Sequence, residues 1–385
     1  MTGYKVVVEE GRKVCAVIGG EVVGRVTVCD IEFQWARDVY VWMGGIAGVG
    51  TDPKYRRMGI AKACMDRANK LILEKGYNCG GVSTGSRNVA RRLYMRSGYV
   101  HLFYIDSYWK SPRRRPERRR MDGLVVRPYM DGDEAEAVRI FRETYGGYFG
   151  PKRKRREEWL ELRAPTLKSD PESMLFAEFN GKLVGYTEYF LKWSNLMAGE
   201  LIVAPGKLRV VAAEALLRSL ENHLASKGLK NVSIWAASSD LEISRLLVCN
   251  GYTKSEGRVF MLNILRFPAL LKELTSLLES RVEASNLEWQ GTVTLESPSQ
   301  AATLVIDGGV SVSEGQDEGS VRGSSIKVEA SREALTRVVS GVLPVWEAYV
   351  QGMLNVKPPL DRESLEVLET LFPATLYFHP VDDWW

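Results

Sequence analysis

The first hundred residues alternate between apolar, β-branched segments and amphipathic ones. The apolar segment "VYVWMGGIAGVGT" (39–51) predicts a buried strand. The segment after Gly59 predicts a helix, because its apolar residues recur at helical spacing and Gly76 closes it. Those apolar residues are Ala61, Cys64, Met65, Ala68, Leu71 and Ile72. The pattern therefore predicts an α/β unit with a strand-to-helix junction just before Gly59.

This pattern recurs later in the chain. The segment "VCAVIGGEVVGRVTV" (14–28) is similar to "LFAEFNGKLVGYTEY" (175–189), and "LYMRSGY" (93–99) is similar to "LLVCNGY" (246–252). The first pair predicts two hairpins, one at Gly20 and one at Asn180-Gly181. The repeat predicts two copies of one α/β unit, over residues 1–110 and 124–264.

Residues 111–123 predict an exposed basic linker, because they combine prolines with arginines at 113–115 and 118–120. A nucleic-acid surface is the alternative interpretation. No aromatic residue lies within the arginine clusters to stack on bases, so we expect no nucleic-acid partner.

The remaining segment, residues 265–385, has a different pattern. Short alternating stretches such as "GTVTLES" and "SIKVEAS" precede the helix-like "REALTRVVSGV" and "RESLEVLETLF". This order predicts an α+β domain. The chain ends on "YFHPVDDWW", and large aromatic residues at a terminus predict that the end is packed into the protein.

Composition restricts the class of protein. The chain has 385 residues, of which 45% are hydrophobic and 26% charged, as in soluble proteins of several domains. It shows neither a signal peptide nor an apolar run of membrane-spanning length, so we expect a cytoplasmic protein with no membrane partner. Five cysteines that lie in apolar stretches and form no CxxC pair indicate reduced, buried thiols. Three widely spaced histidines argue against metal catalysis, and we predict no metal site.

The junction itself reads Arg-x-x-Gly-x-Ala between a strand and a helix. Gly59 allows a ligand to approach the backbone, and the amides from Arg57 to Lys62 can face a pyrophosphate at the helix N-terminus. Arg56 and Arg57 can add charge-assisted hydrogen bonds. The alternative is a solvated, basic helix start with an incidental glycine.

The junction and the downstream segment "SRNVARRLYMRSGYV" (86–100) together resemble the GCN5-related N-acetyltransferases (GNATs). The resemblance implies acetyl-CoA as co-substrate and Tyr94 as the general acid for the departing thiolate; a core tyrosine is the alternative. A phenol with a pKa near 10 can protonate a thiolate of pKa about 8.5 at small cost. The coenzyme-binding residues that the resemblance implies are Val49, Gly50, Thr51, Arg56, Arg57, Met58, Gly59, Ile60, Ala61, Lys62, Asn88, Val89 and Ala90. The glycines Gly44, Gly45 and Gly48 on the same strand allow the coenzyme to approach the backbone closely.

The second copy departs from the motif. Leu208 stands at the position of Arg56, Val211 at that of Gly59 and Leu247 at that of Tyr94, and only Arg209 is retained. We therefore interpret the second copy as structural and expect one acetyl-transfer site per chain.

The segments "MGGIAGVGTDPKYRRMG" (43–59), "GKLVGYTEYF" (181–190) and "LFPATLYFHPVDDWW" (371–385) carry a second resemblance. With them, essentially the full chain resembles the enhanced-intracellular-survival (Eis) type of acetyltransferase. That resemblance implies an α/β (α+β) fold: an active GNAT domain, a degenerate GNAT domain and a sterol-carrier-protein-like domain over residues 265–385, with mixed β-sheets. It also implies a hexamer, a general base in the terminal carboxylate of Trp385, and an acidic pocket lined by Asp382 and Asp383. The alternative is a hydrophobic tail docked on the core.

The predicted activity is N-acetylation of a primary amine by direct attack. The resemblance implies an aminoglycoside-like or polyamine-like substrate, or a lysine side chain. Trp35 is a candidate to stack on the substrate, with a core tryptophan as the alternative. Two other functions stay open: a tandem-GNAT aminoacyl transferase, supported only by the basic linker, and a non-catalytic acyl-CoA-binding or lipid-binding protein.

Overall fold

The computed structural model describes residues 3–114, 121–192, 196–229, 231–285, 287–315, 323–380 and Asp383. These ranges contain nineteen strands and eleven α-helices. The first region comprises β1 (Lys5–Glu9), β2 (Lys13–Ile18), β3 (Glu21–Ala36), β4 (Val39–Thr51), α1 (Ile60–Glu74), β5 (Cys79–Gly85), α2 (Arg91–Arg96) and β6 (Val100–Lys110).

The second region repeats this order with additional helices. It comprises β7 (Leu124–Pro128), α3 (Asp133–Tyr145), β8 (Tyr148–Phe149), α4 (Arg156–Ser169), β9 (Met174–Phe179), β10 (Lys182–Lys192), β11 (Leu196–Val203), α5 (Arg209–Ser226), β12 (Val232–Ala236), α6 (Leu241–Cys249) and β13 (Thr253–Ile264). Both predicted hairpins are present, as β2–β3 and β9–β10.

The third region is α+β, as its sequence pattern predicts. It comprises α7 (Phe267–Glu273), α8 (Thr275–Ser285), β14 (Gly291–Glu296), β15 (Ala301–Ile306), β16 (Val310–Glu314), β17 (Ser324–Ala330), α9 (Arg332–Val339), α10 (Val345–Val350), β18 (Leu354–Lys357), α11 (Arg362–Leu371) and β19 (Leu376–Tyr377). Five strands form a sheet in the order β16-β15-β14-β17-β18. None of the described helices is both long and apolar enough to cross a membrane.

The two copies share one twelve-stranded sheet and exchange their last strands. Its order is β1-β2-β3-β4-β5-β13-β6-β12-β11-β10-β9-β7. Strand β13 of the second copy thus lies between β5 and β6 of the first, and β6 of the first copy pairs with β12 of the second. Strand β5 of the first copy therefore has β13 of the second copy as a neighbour, and β12 of the second copy has β6 of the first.

Helix α1 packs on this sheet through the predicted apolar stripe. Its buried residues include Cys64, Met65 and Ile72, and Ile60 is buried where the sequence predicted Ala61. Gly44 and Gly80 make the close contact possible, because a Cβ on Gly44 would lie 2.3 Å from Ile72 Cγ1. Gly44, which the sequence suggested as room for a ligand, therefore serves helix packing.

The C-terminal segment, residues 376–380 with Asp383, lies against the second copy. Strand β19 pairs in parallel with β8, and Phe378 and His379 are buried. Tyr377 stacks on Phe103 of β6 with ring centroids 4.8 Å apart. The prediction that the end of the chain packs into the protein is confirmed for these residues.

Candidate active site

The large sheet opens between β4 and β5. These parallel strands pair only at Met43–Cys79, Gly44–Gly80 and Gly45–Gly81. Beyond that point β4 stays bonded to β3 and β5 to β13, so residues 46–51 and 82–85 form the two walls of a cleft.

Val49, Gly50 and Thr51 lie on one wall of this cleft. Divergence of two strands leaves backbone polar groups at the inner edges without a ladder partner, and these groups need a hydrogen bond from elsewhere. The side-chain oxygen of Thr51 is buried and has no hydrogen-bond partner among the described residues. The wall therefore offers unsatisfied polar groups to an extended ligand.

Residues 56–62, called here the cradle, connect the end of β4 to α1. Arg57 has φ +66° and Gly59 has φ +79°, and α1 begins at Ile60. A Cβ on Gly59 would meet only the Tyr4 hydroxyl, at 3.8 Å, so glycine is needed for the left-handed backbone rather than for space.

The amides of the cradle are available to a ligand. The first backbone bond into α1 runs from the Ala63 amide to the Gly59 carbonyl, at 3.0 Å. Within the described residues, the amides from Arg57 to Lys62 donate to no acceptor. Because a helix N-terminus carries a partial positive charge, this arrangement suits a phosphate.

Asn88 connects the second motif to the cleft wall. Its Oδ1 accepts from the Ala90 amide at 3.0 Å, and its Nδ2 donates to Thr84 Oγ1 at 2.9 Å. These bonds fix the start of α2 against β5, while Val89 between them is 87% exposed. The asparagine therefore positions the helix that carries Tyr94.

Tyr94 projects from α2 and is only 5% exposed. Its ring contacts Tyr99 edge-on with centroids 6.4 Å apart, and its hydroxyl has no hydrogen-bond partner among the described residues. Burial raises the pKa of Tyr94, and the Arg258 cation opposes that rise. The raised pKa keeps the phenol protonated at neutral pH, which is the form that a general acid needs.

The C-terminal segment brings a buried carboxylate into the molecule. Asp383 is fully buried, accepts from the Lys152 amide at 2.7 Å and forms an ion pair with Lys154 Nζ. The Lys154 cation thus pairs with Asp383, the carboxylate that the resemblance placed in an acidic substrate pocket. Asp382 and Trp385 lie outside the described residues.

Trp35 lies in the core, 2% exposed and edge-on to Phe149 with centroids 5.1 Å apart. The neighbouring Gln34 donates to the carbonyls of Tyr145 and Tyr148, at 2.8 and 2.7 Å. Trp35 is thus built into the contact between the two copies, and its contact with a substrate stays a prediction.

In the second copy, the residues at the equivalent positions have structural partners. Arg209 pairs with Asp240 and with Glu242, whose carboxylate lies 2.9 Å from Nη1. Leu247, at the position of Tyr94, is fully buried in the apolar core. The retained arginine thus holds α5 to α6, and an apolar leucine stands where the first copy has its phenol.

Arg258 also lies at the cleft, although the sequence did not indicate it as a site residue. Its Nε donates to Ser83 Oγ at 3.0 Å and its Nη2 to the Ser83 carbonyl at 2.8 Å, on the β5 wall of the cleft. Burial lowers the pKa of Arg258 to about 10, so the side chain stays charged at neutral pH. An arginine directly before the apolar run of β13 was the only signal in the sequence, and it lies outside both motifs.

No group of three or more His, Cys, Asp or Glu side chains among the described residues could hold a metal ion.

All five cysteines are free. Cys249 is exposed, whereas its apolar surroundings in the sequence predicted a buried thiol.

Two family models match the chain. The acetyltransferase (GNAT) domain model matches residues 6–101, and the acetyltransferase (GNAT) family model matches residues 135–247. The chain therefore contains two tandem GNAT domains, the first of which holds the cleft and the cradle. A search of curated proteins found no match.

Solved structures with the same fold cover nearly the whole chain. A GCN5-related N-acetyltransferase from Anabaena variabilis superimposes with a TM-score of 0.63 at 15% identity, covering 95% of this chain and 88% of its own. A probable N-acyltransferase from Enterococcus faecalis gives 0.64 at 14% identity, with 96% and 87% covered. Eis1 from Mycobacterium abscessus gives 0.57 at 16% identity, with 97% and 91% covered. At these identities the likeness establishes the fold.

Proposed function

We propose that this protein transfers the acetyl group of acetyl-CoA to a primary amine. The observation that carries the proposal is the combination, in one GNAT domain, of an opened sheet, a helix N-terminus with free amides and a buried phenol. In the second domain the cradle glycine and the phenol are both replaced. We therefore assign one coenzyme site per chain, at the first domain.

In the proposed reaction the amine attacks the acetyl carbonyl directly. Acetyl-CoA supplies an activated thioester. The backbone amides of the cradle and the side chains of Arg56 and Arg57 hold the pyrophosphate. The wall formed by Val49–Thr51 binds the extended pantetheine arm and polarises the acetyl carbonyl. Tyr94 gives its proton to the departing sulfur.

The proposed general base is the terminal carboxylate of Trp385. Its support is the burial of Phe378, His379 and Asp383, the last of which lies two residues before Trp385 in the sequence. An α-carboxylate is a weak base in water, so burial has to raise its pKa or a water has to relay the proton. Extending the chain by three residues would convert this carboxylate into an amide and should abolish turnover while coenzyme A still binds.

The acceptor class we propose is an aminoglycoside-like or polyamine-like amine, or a lysine side chain. The support is the whole-length likeness of fold to Eis1, and on the same ground we propose a hexamer with a sterol-carrier-like third domain. Free cysteines at all five positions suit the reducing cytoplasm.

The test is thiol release from acetyl-CoA across a panel of aminoglycosides, polyamines and lysine peptides. We expect turnover with at least one amine, and Tyr94→Phe should reduce it by roughly 100-fold with little change in coenzyme A affinity, since a general acid acts mainly in the transition state. Tyr99→Phe is the matched control, because Tyr99 donates to Asn69 instead. Full turnover in Tyr94→Phe would reduce Tyr94 to a packing residue.

Binding of coenzyme A without turnover of any amine would favour the non-catalytic alternative. The aminoacyl transferase alternative requires transfer of an aminoacyl group from a charged tRNA, which releases no thiol and is followed instead by the loss of the aminoacyl group from that tRNA.

A further inference from the structure

Basic residues surround the entrance of the cleft, where its two parallel strands end. Strands β4 and β5 run in the same direction, so the segments that follow them, residues 52–58 and 86–96, lie at the same edge of the sheet. These two segments are called here the rims. A hydrogen bond of 2.6 Å from Arg91 Nη1 to the Ser86 carbonyl ties the second rim to the end of β5. The rims therefore flank the entrance of the cleft on both sides.

The rims are strongly positive. They contain seven basic residues, Lys54 and six arginines, and one acidic residue, Asp52. Residues 75–105, which include the whole second rim, contain neither aspartate nor glutamate. Within the described part of the chain, none of these seven basic side chains forms an ion pair. The positive charge of the rims is therefore open to a partner.

The corresponding segments of the second copy lack this charge. Residues 204–210 and 239–249 contain three basic and two acidic residues. One of the three, Arg209, is already neutralised by Asp240 and Glu242. The positive surface thus belongs to the copy that has the cradle and the phenol, which connects it to the function of the cleft.

Coenzyme A alone does not account for a surface of this charge. Its phosphates have roughly four negative charges, and the cradle amides with Arg56 and Arg57 are already assigned to the pyrophosphate. On α2, the exposed residues Arg92, Met95 and Arg96 share one helix face at i, i+3 and i+4 spacing. That face is free to bind a larger molecule beside the coenzyme site.

The apolar residues of the rims identify a protein as that larger molecule. Val89 is 87% exposed, Met95 57% and Met58 44%. Methionine and arginine are enriched in protein interfaces, whereas an apolar side chain contributes nothing to phosphate binding. The two aromatic residues of the rims, Tyr55 and Tyr94, are not exposed, so the surface offers no ring for stacking on nucleic-acid bases.

We propose that the rims are a docking surface for an acidic carrier protein, which presents the acetyl group as a thioester on its phosphopantetheine arm. The inference rests on the proposed function and extends it from the free coenzyme to a carrier-bound donor. The arm contains the same pantetheine as coenzyme A, so it enters the same cleft with its phosphodiester at the cradle. The negative surface of the carrier then faces the arginines of the rims.

The transfer step is the one already described, with a different leaving group. The amine nitrogen bonds to the acetyl carbon and loses a proton to the base. The C–S bond breaks with its electron pair going to sulfur, and the sulfur takes the proton of Tyr94, which regains one from water. The carrier leaves with a free thiol on its arm.

Calorimetry with an acidic acyl carrier protein, acetylated on its arm, tests the docking surface without an acceptor amine. The wild type should bind this carrier, and the affinity should fall as the salt concentration rises, because exposed charges are screened. Arg92→Glu combined with Arg96→Glu should reduce the affinity roughly 30-fold, since like charges then face each other. The affinity of this variant for coenzyme A should stay at the wild-type value, which also shows that the variant is folded.

Arg245→Glu is the matched control. Arg245 is exposed on α6 at the position equivalent to Arg92, in the copy that has no cradle glycine. The same reversal of charge at this position should leave the affinity for the carrier unchanged. No binding of the carrier to the wild type, an equal loss in Arg245→Glu, or a parallel loss of coenzyme A affinity in the double variant would overturn the proposal.

A transfer RNA offers the comparison with another polyanion. If it bound more tightly than the carrier through the same two arginines, the surface would serve nucleic acid and the proposal would be overturned. Failure of the proposed function gives a different result. Turnover of acetyl-CoA with an amine, without binding of the carrier, would refute the docking surface alone. Binding of the carrier, with no amine acetylated from either donor, would refute the proposed function and leave the docking surface in place.

Discussion

At the scale of single residues, Gly59 combines a backbone requirement with a ligand-binding one. Its φ of +79° costs an alanine about 1 kcal/mol. The same strain would rotate the neighbouring amides of the cradle away from the position that we propose for the pyrophosphate. We expect Gly59→Ala to weaken coenzyme A binding at least tenfold, measured by calorimetry.

Gly76 provides the control for this change. It follows the other end of α1 at φ +84°, and a Cβ there would meet nothing within 4 Å, so Gly76→Ala carries a similar strain without touching the cradle. Its melting temperature should fall about as far as that of Gly59→Ala, while its affinity for coenzyme A should stay at the wild-type value. Equal affinities in the two variants would refute the role given to the cradle.

The sequence predicted the residues of the cradle because the motif is local. The seven consecutive residues 56–62, with Gly59 among them, carry its geometry, and the chain order alone brings them together. Gly44 was interpreted less well, since a glycine in a strand indicates a close approach without indicating by what. Arg258 could not be predicted, because its position depends on pairing between distant segments: its partner Ser83 lies 175 residues earlier in the chain.

At the scale of elements, the contact of the C-terminal segment with β8 depends on Gly150. A Cβ there would lie 2.1 Å from the Phe378 carbonyl oxygen, and the residue has φ +126°. Gly150→Ala should therefore displace the segment and, with it, the buried Asp383. We expect turnover to fall at least tenfold while coenzyme A affinity stays unchanged, because the cradle lies on another element.

The hairpin glycine Gly181 supplies the comparison. It has φ +82° and open space around it, so Gly181→Ala introduces backbone strain without a clash. Limited proteolysis should release the C-terminal residues from Gly150→Ala and not from Gly181→Ala. Wild-type turnover in a Gly150→Ala protein with a displaced segment would show that catalysis does not need the chain end.

The elements themselves were largely predictable, and their pairing was not. Alternation and helical spacing identified both hairpins, α1 and the strands of the third region. The same pattern marks β6 and β13 as apolar last strands of two similar copies, and either could complete either sheet. The pattern of apolar and polar side chains indicates which face of a strand is buried. It does not indicate which of two equivalent sheet edges the strand pairs with.

At the scale of the whole molecule, two buried histidines connect regions distant in sequence. His101 of β6 lies near Arg91 and near Arg337 of α9, and burial with these two cations lowers its pKa to about 4. His379 of the C-terminal segment is held by its ring nitrogen Nδ1 at 2.8 Å from the Gly150 carbonyl. Both rings are neutral in the folded protein and take up a proton on unfolding below about pH 6.5.

Stability should therefore fall as the pH drops from 7 to 5. The folded-state pKa values of both histidines are depressed, so their contribution is complete above about pH 6.5 and is lost as the pH falls toward 4. Each site contributes at most about 1.4 kcal/mol per pH unit, on the order of 2 °C in melting temperature.

His101→Gln should remove about half of the decrease in stability between pH 7 and pH 5, measured by thermal unfolding, because few carboxylates titrate in that range. The hydrogen bond that Arg337 Nε donates to the backbone carbonyl of residue 101 does not involve the ring and remains in the variant. A decrease as steep in His101→Gln as in the wild type would show that this ring becomes protonated without cost to the fold.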